Sequence, residues 1–391
     1  MVTTNPAVRS GGANPLAALR EEVARRRGAG QALIDLSIGD PDEPTPEAVR
    51  AALVGALGPV SSYPTGYGQA ATRAAVAGFL ARRHGVHVDP ATQVLPTSGS
   101  KEAIFHLPLA FIDPAGERRT VVWGTPGYPT YARGARYAGG EPHAVVLTEG
   151  DGWRLNLGAL DADVLARTAI AWLGYPHNPT GATVDRAYLR DQLDVARAND
   201  ILLCSDECYQ ELWFDAPAPS LLEVAGDDAA GVIAVLSLSK RSGMTGYRSG
   251  AIVGDAALVA RLRTLREDTG TASPDFVQAA AQVAWADDAH VEERRAIFAA
   301  KREVVLDGLR ELDLRWSGSE ATFYVWVAAP GGDDLAYATA LLEAGLVVTP
   351  GRAFGAGGDG WVRLALVPDL SGCREAMGRW QDAHRRGLLP A

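Results

Sequence analysis

The middle of the chain alternates between two kinds of stretch. Short unbroken apolar runs, TVVWG, TAIAWLGYP, ILLCSDE, VIAVLSLSK and GAIVGD, are separated by longer segments with helix-like spacing. Runs of that length without polar alternation predict strands buried on both faces, hence an α/β fold with a mostly parallel sheet covered by helices. After Asp287 the rhythm changes. HVEERRAIFAAKREVVLDGLREL predicts a long helix, and ATFYVWVAA and WVRLALV predict strands joined through LLEAGLVVTPGRAFG, a smaller α+β unit. Ahead of both, PLAALREEVARRR predicts a helix that packs with the C-terminal unit, and the residues up to about Asn14 read as a loose arm. The expected division is residues 1–45 for arm and helix, 46–287 for a large domain and 288–391 for a small one.

In sheets of this kind ligands bind beyond the carboxyl ends of the strands. Three of the runs pass directly into polar side chains there: Asn178, Asp206 and Lys240. Composition sharpens the last of these. Only Lys101, Lys240 and Lys301 are lysines among 37 basic residues, so arginine carries nearly all the positive charge. A surface cation here could be arginine, whereas an amine nucleophile could not.

The rest of the composition mainly excludes. A length of 391 residues accommodates more than one domain. A formal net charge of −10 argues against a nucleic-acid or anionic-membrane partner. Three cysteines are too few and too odd for a disulfide framework, and no apolar stretch approaches the ~20 residues of a membrane helix or forms a leader, so a cytoplasmic protein is expected. GAGGDG at Gly355–Gly360 has dinucleotide-site spacing, but a predicted strand follows it where a helix would be required, so it reads as a turn. Cys204 and Cys208 lack neighbouring ligands for zinc, and no metal site is expected.

A nucleophilic Lys240 needs desolvation and a nearby cation, which Arg241 and Arg248 could supply. A lysine beside an anion-binding loop points to a Schiff base with a phosphorylated aldehyde, pyridoxal 5'-phosphate. Asp206 would then keep the pyridine nitrogen protonated, with Tyr209 and Asn178 hydrogen-bonding the ring hydroxyl. Gly99, Ser100 and Lys101, in TSGSKEAIF, sit where a loop enters a helix and offer backbone N–H groups to an anion. Ser237 and Ser239 add hydroxyl donors, although Ser239 serves equally well to fix the turn before Lys240. Tyr128, in TPGYPTY, is placed either to stack on the ring or to fill the core.

NPTG at Asn178–Gly181, SDECY at Ser205–Tyr209 and SLSKRSGMTGYRSG at Ser237–Gly250 stand in one order and spacing. From about Ile34 to Val367 the chain resembles the fold-type I, class I/II pyridoxal phosphate-dependent aminotransferases. The resemblance implies a seven-stranded sheet, a Schiff base at Lys240, which also shuttles the proton, and ring contacts from Asp206, Tyr209 and Asn178. It places Ser237 and Arg248 on the phosphate, Arg363 on the substrate α-carboxylate and Gly39 at a backbone contact to the substrate. Tyr63 matches a tyrosine that reaches the phosphate of a neighbouring subunit, which implies a homodimer with shared sites; Tyr67 is the other candidate. The loop LSIGDPDEPTP and the cup SGSKEAIFHLPLAFIDP are most similar to N-succinyl-diaminopimelate aminotransferases of lysine biosynthesis, with glutamate and 2-oxoglutarate as the amino pair. Aspartate, aromatic and LL-diaminopimelate aminotransferases share much of the pattern. A carbon–sulfur lyase would use the same lysine. A cofactor-sensing DNA-binding regulator is disfavoured by the acidic charge and by the short stretch before the matching region.

Overall fold

The apolar runs fold as strands whose alternate side chains enter two different cores. The computed structural model describes residues 3–9 and 17–390. Its strands are β1 (Ile34–Asp35), β2 (Val94–Thr97), β3 (Thr120–Thr125), β4 (Glu141–Val146), β5 (Thr168–Leu173), β6 (Leu202–Asp206) and β7 (Val232–Ser237). There follow β8 (Gly250–Gly254), β9 (Trp316–Ser317), β10 (Tyr324–Ala328), β11 (Leu346–Val347), β12 (Thr349–Pro350) and β13 (Trp361–Ala365). Seven of them form one sheet in the order β2-β8-β7-β6-β5-β3-β4.

In that sheet Val122, Ala171, Leu203 and Ala234 face a core shared with Leu189, Leu193 and Trp285. Their neighbours Val121, Ile170, Cys204 and Ile233 face a second core with Ile104, Leu107 and Leu262. Side chains that alternate between two apolar layers leave no polar positions, which is why the runs are unbroken. Strands β3 to β7 are parallel to their partners among themselves. GAIVGD departs from this, because β8 runs antiparallel to both β7 and β2. The connection from Ser237 to Gly250 stays at the carboxyl end of the sheet, so the chain must re-enter it in the opposite direction.

The C-terminal layer is an antiparallel sheet in the order β12-β13-β10-β9. Helices Ala289–Glu311, Asp334–Glu343 and Leu370–Arg385 cover it through Phe298, Tyr337, Leu341 and Trp380. Strand β1 joins this half by pairing in parallel with β11, Ile34 opposite Leu346. The N-terminal helix, Ala17–Gly28, packs there: Val23 lies against Leu342 and Val347, and Arg26 Nη1 donates to Leu342 O at 3.1 Å. Within the arm, Pro6–Arg9 form a single helical turn; Met1, Val2 and residues 10–16 lie outside the described residues. GAGGDG is a turn leading into β13. Among the described residues no helix is long and apolar enough to cross a membrane.

Candidate active site

The carboxyl ends of β5, β6 and β7 open into a cavity of about 720 Å³, closed on its other side by residues of β10 and β13. Strand β6 ends on Asp206, which is buried. Tyr131 Oη donates to its Oδ2 at 2.9 Å, and the Cys208 backbone N–H to its Oδ1 at 3.3 Å. Burial raises the carboxyl pKa, while the bonds from Cys208 and Tyr131 pull it back.

Strand β7 ends on Ser237, whose Oγ accepts from the Ser239 N–H at 3.1 Å and caps the short turn Leu238–Arg241. That turn aims Lys240 back into the cavity, where Nζ donates to Gly39 O. Burial lowers the ammonium from 10.5 to about 8; Arg363 and Arg248 push the same way, against Asp40 and Cys208. Of the two cations expected to act on Lys240, Arg248 lines the cavity and Arg241 does not. The Arg241 guanidinium pairs with Asp288 at 3.0 Å and packs on Phe79 and Trp285. The helical turn points successive side chains in different directions, so Lys240 and Arg241 diverge.

Arg248 and Gly99 meet at the anion cup. A β-carbon on Gly99 would stand 2.6 Å from Arg248 Nη2, so only glycine lets the guanidinium lie there. Gly99, at φ +82°, precedes helix Ser100–Phe111, and no side chain caps that helix. Ser100 and Lys101 on its first turn line the cavity, with the Lys101 side chain exposed. Glu102 folds back to accept from the Ser98 N–H at 3.0 Å and pairs with Arg266, which holds the loop in place.

The opposite wall is built around Arg363, buried on β13. Its Nη1 donates to Asn178 Oδ1 at 2.9 Å and its Nη2 to Ser37 O at 2.6 Å, while Nε is buried without a partner. The rings of Tyr324 and Phe354 flank the guanidinium at 4.2 and 4.6 Å. Tyr209 Oη and Tyr324 Oη share a hydrogen bond of 2.9 Å, and a β-carbon on Gly39 would stand 2.0 Å from that same Tyr324 oxygen.

Tyr128 also lines the cavity, edge-on to Tyr131 with 5.8 Å between ring centroids. Tyr63 does not; it is fully exposed and outside the cavity. Tyr67 is engaged within the chain, between Arg73 at 3.9 Å and Arg263 at 4.2 Å. The motifs did not single out Tyr131, Cys208, Tyr324 or Phe354. Tyr131 stood in the quoted TPGYPTY and Tyr324 in a run read only as a strand, so their signal was packing-like. Arg20, from the N-terminal helix, carried no signal at all.

The residues present suit pyridoxal 5'-phosphate. An uncapped helix N-terminus, the Arg248 guanidinium seated over Gly99 and a partly desolvated amine at Lys240 match a phosphorylated aldehyde. The unpartnered Arg363 Nε leaves donor capacity for a carboxylate.

Comparison with known proteins agrees with this chemistry. Residues 31–379 match the family described as "Aminotransferase class I and II". An LL-diaminopimelate aminotransferase from Desulforudis audaxviator (strain MP104C) is 38% identical over 369 residues, 93% of each chain. Among solved structures, an aminotransferase from Neisseria meningitidis Z2491 superposes with a TM-score of 0.90 at 31% identity, covering 98% of this chain and 100% of its own. A probable N-succinyldiaminopimelate aminotransferase from Thermus thermophilus superposes at 0.86 with 30% identity, over 94% and 99% of the two chains. The chain belongs to the class I and II aminotransferases, fold-type I enzymes whose cofactor is pyridoxal 5'-phosphate.

Proposed function

We propose that this aminotransferase acts on a diaminopimelate-type amino acid, N-succinyl-diaminopimelate or LL-diaminopimelate, with 2-oxoglutarate and glutamate as the amino pair. The names of relatives at 38% and 30% identity support that substrate class. Both substrates are 2-amino acids with a second carboxylate at the far end. The enzyme would serve lysine biosynthesis in the cytoplasm, its cofactor held by a large domain over 46–287 and its substrate closed in by a small one over 288–391, with residues 1–45 packed on the latter.

Bound, the cofactor supplies an electrophilic carbon for an amine and a ring that takes up electron density from the substrate Cα. Lys240 would hold the cofactor and, as a neutral amine, would take the proton from the substrate Cα. Its value of about 8 keeps a usable neutral fraction near physiological pH. Asp206 holds the proton on the pyridine nitrogen. Tyr209 and Asn178 would bind the ring oxygen, and Tyr128, which lines the same cavity, would pack on the ring. Gly99, Ser100, Lys101, Ser237, Ser239 and Arg248 bind the phosphate, the first three through backbone N–H groups. Arg363 grips the α-carboxylate, so Asn178 exchanges that guanidinium partner for the substrate. Gly39 accepts from Lys240 and backs the substrate.

The observation that carries this proposal is the convergence of Lys240, Asp206, the uncapped helix and Arg363 on one cavity. The test is to mix the yellow holoenzyme with single amino donors, without an oxo acid, and follow the cofactor absorbance. Glutamate and one or both diaminopimelates should convert it rapidly, while aspartate and phenylalanine leave it slow. Conversion by none of them, with pyruvate and ammonia released from cystathionine, would mark a lyase instead.

We further propose a homodimer in which Tyr63 reaches the partner's phosphate. Support comes from its complete exposure a few residues after Val54, Leu57 and Val60, which are also exposed.

A further inference from the structure

Five cationic side chains line the cavity: Arg20, Lys101, Lys240, Arg248 and Arg363. Three are engaged at stated positions. Lys240 donates to Gly39 O, Arg248 lies over Gly99 with Nη1 on Thr245 O at 2.9 Å, and Arg363 bonds Asn178 and Ser37. Arg20 and Lys101 are left over.

The two stand in different places. Lys101 follows Ser100 on the first turn of the uncapped helix, at the phosphate end. Arg20 is the one residue of helix Ala17–Gly28 that reaches the cavity, about two turns before Arg27, which pairs with Asp35 at the head of the loop through Ser37, Gly39 and Asp40. That loop continues from Ser37, whose carbonyl holds Arg363, and contains the Gly39 carbonyl that holds Lys240. Arg20 therefore lines the same cavity as Lys240 and Arg363 from an exposed position, brought there by the helix that is tied to this loop.

The rest of its helix supplies a contrast. Arg25 pairs with Glu22, Arg26 with Glu22 and Glu343, and Arg27 with Asp35. Arg20 is exposed and pairs with no carboxylate among the described residues, Asp40 included. An arginine fork without a partner, aimed into a substrate cavity, fits a planar carboxylate in two parallel hydrogen bonds.

We propose that Arg20 is a specificity-determining residue that binds the far carboxylate of the substrate, selecting 2-amino acids that end in a second carboxylate. This rests on the proposed diaminopimelate-type activity and names the residue that reads its far end. The N-terminal helix then acts as part of the active-site wall as well as a clasp on the C-terminal layer.

The test compares 2-aminopimelate with 2-aminoheptanoate, which share a seven-carbon chain and differ in the far carboxylate. The readout is the ratio of their kcat/KM values in the half-reaction, for holoenzyme of wild type, Arg20→Ala, Arg20→Lys and Lys101→Ala. A hydrogen-bonded charge contributes a factor of about ten to a hundred, so Arg20→Ala should reduce the ratio by that much. Arg20→Lys should restore part of it, because the charge returns without the fork. Lys101→Ala should leave the ratio as in wild type. An unchanged ratio in Arg20→Ala, or a fall confined to Lys101→Ala, overturns the assignment while leaving the activity standing. A wild-type enzyme that treats both compounds alike overturns the far-carboxylate substrate class itself, and this inference with it.

Discussion

At the scale of single residues, the site works by burial opposed by a few directed bonds. Lys240 gives up its proton more readily than an ordinary lysine because burial outweighs Asp40 and Cys208. Its folded-state pKa lies below the ordinary lysine value, so the neutral amine accumulates as pH rises through about 8. The rate at which cofactor-free enzyme captures pyridoxal 5'-phosphate should therefore rise with a midpoint near that pH; a midpoint above about 10, the ordinary lysine range, would contradict the desolvated amine. Lys240→Ala should abolish cofactor attachment fixed by borohydride. Asp206 poses the converse problem, since burial favours the neutral carboxyl and the bonds from Cys208 and Tyr131 oppose it. Tyr131→Phe removes the 2.9 Å donor and should slow proton removal from Cα by about tenfold. A purely structural loss would not shift the pH titration of the cofactor absorbance, whereas this change should. Lysine scarcity together with its place at the end of an apolar run drew attention to Lys240; Tyr131 had no such signal, because a tyrosine three residues from another looks the same in a core as beside a carboxylate.

At the scale of elements, several of the candidate groups sit where a strand or helix begins or ends, whereas Arg363 stands at the centre of β13. Asp206 closes β6, Ser237 closes β7, and Gly99 opens the helix Ser100–Phe111. Gly99 tests the cup most directly, because its φ of +82° and the 2.6 Å approach of Arg248 both exclude a side chain. Gly99→Ala should cost about 1–3 kcal/mol of backbone strain and displace Arg248. Affinity for pyridoxal 5'-phosphate, measured by equilibrium dialysis, should fall more than affinity for pyridoxal, which lacks the phosphate; equal losses would argue against a phosphate cup. The parallel strands were legible because their runs are apolar on both faces. The reversal at β8 was not, since direction depends on where the connector lies and GAIVGD reads alike both ways. The turn Leu238–Arg241 likewise decided that Lys240 enters the site while Arg241 leaves it, although the two are adjacent in sequence.

At the scale of the whole molecule, buried ion pairs fasten distant segments. Lys301, on the long helix Ala289–Glu311, pairs with Glu43 and donates to Leu366 O and Val367 O at 3.3 and 3.2 Å. Lys301→Ala would leave the Glu43 carboxylate with Arg294 alone, 3.9 Å away, and should cost about 3 kcal/mol, read from denaturant unfolding of the holoenzyme. The proposed dimer has its own test: Tyr63→Ala and Lys240→Ala chains, each impaired alone, should recover activity when refolded together, because each mixed dimer then contains one intact composite site. No recovery would place Tyr63 outside the site. By itself the sequence determined the strand-rich middle, the smaller C-terminal unit and the family, and singled out Lys240 as the candidate nucleophile, because local apolar pattern and residue chemistry are carried by neighbours in the chain. Tertiary structure alone decided that Arg363 meets Asn178 from 185 positions away, that Arg20 reaches the cavity and that Arg241 does not. Those outcomes depend on how packed layers place their edges against one another, and spacing along a chain does not encode that.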